Sequence, residues 1–137
     1  MQRLICKGKI HRATVTEANL DYVGSITIDT LLLKAANILP YEMVQVTSLR
    51  NATRWKTYAL PGKEGTGKVC LNGPPAHLFQ SGDLIIILSL GLFSMEEIKH
   101  LAPSIVFVDQ HNQIERVEQH PLYLKNEEVN WDGLCPG

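Results

Sequence analysis

Gly24 and Ser25, inside the stretch Asp21-Tyr22-Val23-Gly24-Ser25-Ile26-Thr27, could do chemistry on the chain itself. Glycine reaches backbone angles that other residues avoid. A serine directly after it can aim its hydroxyl oxygen back at the Gly24 carbonyl carbon. If that peptide unit is strained, the hydroxyl can attack it and turn the amide into an ester. Elimination of the ester would leave dehydroalanine at position 25, which hydrolyses to a pyruvoyl group on a new chain end. Such a ketone captures an amine as a Schiff base and then serves as an electron sink, the part pyridoxal phosphate plays elsewhere. A Gly-Ser pair is also an ordinary turn, so it carries this reading only in company.

Company comes from polar residues on predicted strands. Lys7, Lys9 and His11 recur at period two, with Ile10 between the last two, as on a strand with one polar face; Gly8 there marks a bulge or a close backbone approach. Arg54, Lys56 and Tyr58 share one face of another strand, while Trp55 and Thr57 share the other. Each of these reads equally as a solvated outer position, and Asn72 before Gly73 equally as a turn asparagine. The loudest motif is a decoy. Gly62-Lys63-Glu64-Gly65-Thr66-Gly67-Lys68 matches a phosphate-binding loop, but Val69 stands where a magnesium-binding Ser or Thr belongs, and strand rather than helix follows. A hairpin loop is expected there. His11, His77, His100, His111 and His120 lack the paired spacing of a zinc helix, and no metal site is expected.

The elements that must hold these residues are short. Strands are predicted over 4–16, 25–29, 43–48, 53–60, 68–72, 83–90, 104–108 and 114–118, with 43–48 and 53–60 forming a hairpin. Asp29 reads as the N-cap of a helix over 30–37. Ser94 and Glu97 have capping-box spacing ahead of a helix over 95–101. Together these predict one mainly β barrel domain with short helices, and a polar tail from Asn126, loosely held.

Composition sets the frame. The 137 residues are 45% hydrophobic and 20% charged with a net charge of −1, so neither nucleic acid nor an anionic membrane is an expected partner. Cys6, Cys70 and Cys135 are too few and too scattered for a disulfide framework, which fits a reducing cytoplasm. The start carries charges where a signal peptide needs an apolar run. The apolar stretch from Leu84 to Phe93 is half the roughly 20 residues of a helical membrane span.

Taken together, Lys9-Ile10-His11-Arg12, Tyr22-Val23-Gly24-Ser25, Arg54-Trp55-Lys56-Thr57-Tyr58, Asn72-Gly73 and Gly82-Asp83-Leu84-Ile85 resemble, in sequence and spacing, the pyruvoyl-dependent aspartate 1-decarboxylase family. The resemblance implies a double-psi β-barrel, a homotetramer with active sites between subunits, and self-cleavage into 1–24 and 25–137, with a maturation factor possible. It implies decarboxylation of L-aspartate to β-alanine for pantothenate and coenzyme A synthesis, with a pyruvoyl group made from Ser25. By the same resemblance Ser25 is the attacking hydroxyl and Thr57 holds the Gly24 carbonyl. Asn72 and Gly73 belong to the site, Lys9 and Arg54 receive the substrate carboxylates, and Tyr58 donates a proton. His11 and Tyr22 line the same region.

Two departures stand out. Pro74-Pro75 replace the family's alanines and remove two backbone donors, leaving those of Gly73 and Ala76. The tail beyond about His120 has no secure counterpart. Two other readings stay open: a silent barrel that keeps Ser25 and serves as a binding or assembly module, and a pyruvoyl decarboxylase for another amino acid such as glutamate.

Overall fold

Apolar residues at every second position make strand the dominant element of this chain, and the computed structural model, which describes residues 1–136, shows how the strands pair. They are β1 (Gln2–Thr14), β2 (Glu17–Asn19), β3 (Ser25–Asp29), β4 (Met43–Ser48), β5 (Arg54–Gly62), β6 (Val69–Asn72), β7 (Leu84–Ser94), β8 (Ser104–Val108) and β9 (Ile114–Gln119). Their order across the sheet is β2-β6-β3-β5-β4-β7-β1-β8-β9. β1 runs on into β2, and β2 pairs with β6 at the far end of that order, so the sheet curls round until it meets itself. The chain thus forms the mainly β barrel with short helices that its pattern predicts.

Ile10, Ile26, Ile28, Val46, Leu71, Ile85 and Ile87 point inward and are fully buried. Each such side chain removed from water stabilises the fold by roughly 1.5–3 kcal/mol. β7 is central, between β4 and β1, as its apolar sequence requires. The predicted hairpin is present: β4 and β5 pair antiparallel, from Met43 opposite Tyr58 to Thr47 opposite Arg54. Gly8 answers to both of its expected roles. The β1 register shifts there, and a β-carbon on Gly8 would lie 2.0 Å from the Ala36 carbonyl oxygen.

Asp29 caps α1 (Thr30–Ala35) by accepting from the Leu31 amide at 2.9 Å. Its carboxylate also accepts from the Gly65 amide at 3.2 Å and the Gly67 amide at 2.8 Å. The phosphate-loop look-alike is therefore an amide cradle for the chain's own carboxylate. Nor is it a hairpin loop: β5 and β6 lie on opposite sides of β3, and residues 63–68 cross the end of that strand.

β5 runs through Pro61 at no cost to the ladder. The Ala59 amide turns to Glu42 on the β4 side, and two residues later the missing donor of Pro61 falls on that side beyond the end of β4. The capping box of Ser94 and Glu97 starts α2 (Met95–Ile98), which is shorter than predicted. The tail folds back on the barrel. His120 and Leu122 amides donate to the carbonyls of Pro103 and Leu101, Tyr123 bridges Val129, and Trp131–Leu134 forms α3. Among the described residues the three cysteines are free, no cluster could hold a metal ion, and no helix is long and apolar enough to cross a membrane.

Candidate active site

Ser25 opens β3 directly opposite Asn72 of β6, and both side chains are buried. In an antiparallel pair, residues in register share a face, so Ser25, Thr27, Cys70 and Asn72 meet on one side. Asn72 Nδ2 donates to Ser25 Oγ at 2.9 Å and to Thr27 Oγ1 at 2.9 Å. The Cys70 thiol donates to Asn72 Oδ1 at 3.1 Å. Burial, then the charge of Glu17, push that thiol's pKa up against a smaller pull from Lys68, so the sulfur keeps its proton. Ser25 Oγ is turned back along the chain, 3.5 Å from the Val23 carbonyl oxygen.

The next residue fixes Gly24. Gly73 has φ 76° and ψ −140°, a backbone conformation that glycine alone adopts readily. Its amide donates to the Asn19 carbonyl at 2.8 Å, and the Ala76 amide donates to the Gly73 carbonyl at 2.9 Å. The two amides that the proline pair spares are thus already engaged. Pro74 itself packs beside Gly24: a β-carbon on Gly24 would sit 3.6 Å from the proline Cδ.

On the other side of β3, the parallel register of Ile26 with Ala59 sets Ser25 level with Tyr58 and on the same face. Tyr58 is half-buried and stacks on Tyr41, with ring centroids 5.3 Å apart and planes 7° from parallel. Thr57 takes the opposite face. It is buried, pairs with Val44, and shares the barrel interior with Ala59; no hydrogen bond joins it to Gly24 among the described residues.

The cationic candidates lie apart. Arg54 is exposed at the start of β5, opposite Thr47, four residues before Tyr58 and so roughly 13 Å along the strand. Lys9 pairs with Leu88, Leu88 with Gln45, and Gln45 with Lys56, which puts Lys9 three strands, or about 14 Å, from β5. His11 follows on β1. Its ring meets Phe107 edge-on at 5.6 Å, and its Nδ1 is buried without a partner. Burial first, then Lys9, Arg12 and Arg116, hold its pKa below the ordinary imidazole value. With Arg12, Phe107, Asp109 and Glu115 it lines a cavity of about 370 Å³. Tyr22 is exposed in the loop ahead of Gly24.

One chain therefore brings together Gly24, Ser25, Asn72, Gly73 and Tyr58, and leaves Lys9 and His11 on β1, Thr57 on the opposite face of β5 and Arg54 at the far end of that strand. Sequence reading missed Thr27, Cys70 and Tyr41. The first two were within reach, since each stands two residues from a site residue on a predicted strand.

The sequence model of the family described as aspartate decarboxylase matches residues 1–115. The chain belongs to the aspartate decarboxylase family. It is similar to a protein of Acetivibrio thermocellus named aspartate 1-decarboxylase, 56% identical over 110 residues, covering 80% of this chain and 87% of the relative. A relative of the same name from Listeria monocytogenes is 52% identical over 117 residues, 85% of this chain and 92% of its own. One from Caldicellulosiruptor saccharolyticus is 50% identical over 131 residues, covering 96% and 97%, so that likeness extends into the tail. The aspartate decarboxylase family implies a pyruvoyl group, and the residues around position 25 fit its formation: a buried hydroxyl, a fixed glycine before it, and an amide donor on the oxygen.

Proposed function

We propose that this chain cuts itself between Gly24 and Ser25 and then decarboxylates L-aspartate to β-alanine and carbon dioxide. The observation that carries the first half is the buried Ser25 hydroxyl, held by Asn72 beside a glycine that Gly73 crowds from behind. Ser25 Oγ attacks the Gly24 carbonyl carbon, the C–N bond breaks, and the hydroxyl proton passes to the Ser25 nitrogen, leaving an ester. Loss of the Ser25 α-proton and cleavage of the Cβ–Oγ bond release the Gly24 carboxylate and leave dehydroalanine. Its imine tautomer takes up water and gives off ammonia. The amide donor of Asn72 orients the oxygen and stabilises the negative charge it carries as it forms and leaves.

Once present, the pyruvoyl group supplies an electrophilic ketone for the substrate amine and an electron sink for the departing carboxylate. The chain's own residues bind and move the proton. Arg54 offers a two-pronged charge-assisted bond to one carboxylate, and Lys9 a movable point charge for the other. Because these two stand on strands three positions apart, a complete site takes Lys9 from one copy and Arg54 from a neighbour, in a homotetramer. Tyr58, level with Ser25, protonates the carbon from which carbon dioxide has left. His11 and Tyr22 border that site, and Thr57 reaches the Gly24 carbonyl only when subunit packing or local twist turns it outward.

Membership among chains named aspartate 1-decarboxylase favours aspartate over glutamate and an active enzyme over a silent module. The free cysteines fit a reducing cytoplasm. Intact mass tests the reading. Warmed protein should yield fragments 1–24 and 25–137, the larger lighter by one ammonia than a serine-started chain, and Ser25→Ala should stay whole and inactive. A wild-type chain that stays uncut, alone and with cell extract as a source of any maturation factor, rules the mechanism out. Turnover of glutamate in preference to aspartate overturns the substrate.

A further inference from the structure

We infer that Cys70 is a positioning residue for self-cleavage: its thiol sets which end of the Asn72 amide faces Ser25. This rests on the processing reading above. The Asn72 side chain can sit in its slot in two orientations related by a half-turn. In the one observed, both N–H bonds go to hydroxyl oxygens, Ser25 Oγ and Thr27 Oγ1, each at 2.9 Å. In the other, the amide oxygen would face those hydroxyls, accept a hydrogen bond from Ser25 Oγ, and set a negative dipole beside the same oxygen as it leaves in the Gly24 carboxylate. The choice between them is made at the opposite end of the amide.

There Asn72 Oδ1 accepts from Cys70 Sγ at 3.1 Å, and Cys70 is fully buried. A thiol is a weak donor and a weak acceptor. Burial holds the Cys70 proton on sulfur, so it donates. With the donor present, the observed orientation satisfies every polar atom of the amide. Without it, a buried carbonyl oxygen is left bare, and turning the amide over becomes competitive. Cys70 reaches Asn72 because residues two apart on β6 share a face. It touches neither Ser25 nor substrate by any hydrogen bond, so its action runs entirely through Asn72.

The test compares Cys70→Val, which fills the site with an apolar group and loses the donor, with Cys70→Ser, which keeps a donor. The rate at which fragment 25–137 appears in warmed protein is followed by intact mass, with thermal midpoint and oligomer size measured alongside. Cys70→Val should cleave roughly five- to tenfold slower, the factor expected for losing one weak buried hydrogen bond. Cys70→Ser should stay within about twofold of wild type. Should Cys70→Val fold poorly, Cys70→Ala gives the same comparison against Cys70→Ser. Valine or alanine cleaving at the wild-type rate overturns the inference, as does a serine variant as slow as they are. A wild type that never cleaves overturns the processing reading itself, and this inference with it.

Discussion

A β-carbon placed on Gly73 would lie 2.9 Å from the Cα of Gly24, 3.0 Å from its nitrogen and 3.1 Å from the Tyr22 carbonyl oxygen. Only a residue without a side chain lets the chain leave β6 this close to Gly24. Gly73→Ala therefore meets two penalties, the collision and a φ of 76°, and should destabilise the fold by about 1–3 kcal/mol. Because it moves Gly24, it should also slow cleavage by about 100-fold. Gly82→Ala is the control. Its φ is 93°, yet nothing lies within 4 Å of the added carbon, so stability should drop without any change in cleavage. Equal cleavage in the two variants would show that the approach of Gly73 does not matter.

Tyr58→Phe keeps the ring that stacks on Tyr41 and removes only the hydroxyl. Cleavage should be normal, while kcat for aspartate should fall by about 10²–10⁴-fold. Unchanged turnover would take the proton-donor role away from this residue.

Lys9 and Arg54 stand on strands separated by β4 and β7. If the site is built across two copies, Lys9→Ala and Arg54→Ala chains should each be nearly inactive alone and regain activity when co-expressed, since one interface then holds both native cations. Mixed assemblies that stay dead would place the two residues in one chain's site after all.

Asp29 holds three backbone amides, those of Leu31, Gly65 and Gly67. Asp29→Ala leaves all three without their acceptor and should cost about 2–4 kcal/mol. Urea denaturation reads this directly. A loss under about 1 kcal/mol would mean that water replaces the carboxylate.

His11 resists protonation in the fold because it is partly buried and because Lys9, Arg12 and Arg116 are near. Asp109 and Glu115 also line the cavity that His11 faces. The unfolded chain takes up the proton near pH 6.5, and the folded one only at lower pH. Stability is therefore fully present above pH 6.5 and declines as pH falls towards the folded value. His11→Gln should flatten that decline in thermal midpoints measured between pH 7.5 and 5. An identical slope in the variant would assign the titration to other groups.

The Asp29 cap, the capping box, the central place of β7 and all the strands but β2 were legible because each depends on neighbours in sequence: period-two burial, or a side chain reaching an amide two or three residues on. The segment at 62–68 was misread as a hairpin loop because its composition is that of any glycine-rich turn. Whether β5 and β6 lie side by side depends on β3 coming between them, which no local pattern records. The segment leading into the tail follows the same logic, since the amides of His120 and Leu122 bond to Pro103 and Leu101, partners that no local pattern records.

The candidate site divides along the same line. By itself the sequence determined that a hydroxyl follows a glycine, that cations and a phenol alternate on strands, and which family these blocks belong to, because residue identity and spacing are properties of the chain. Only the tertiary structure decided that Ser25 faces Asn72, that Cys70 stands behind that amide, that Gly73 presses on Gly24, and that Lys9 lies far from Arg54. Those relations are fixed by register between strands distant in sequence, and register is chosen by the burial of a whole sheet face at once.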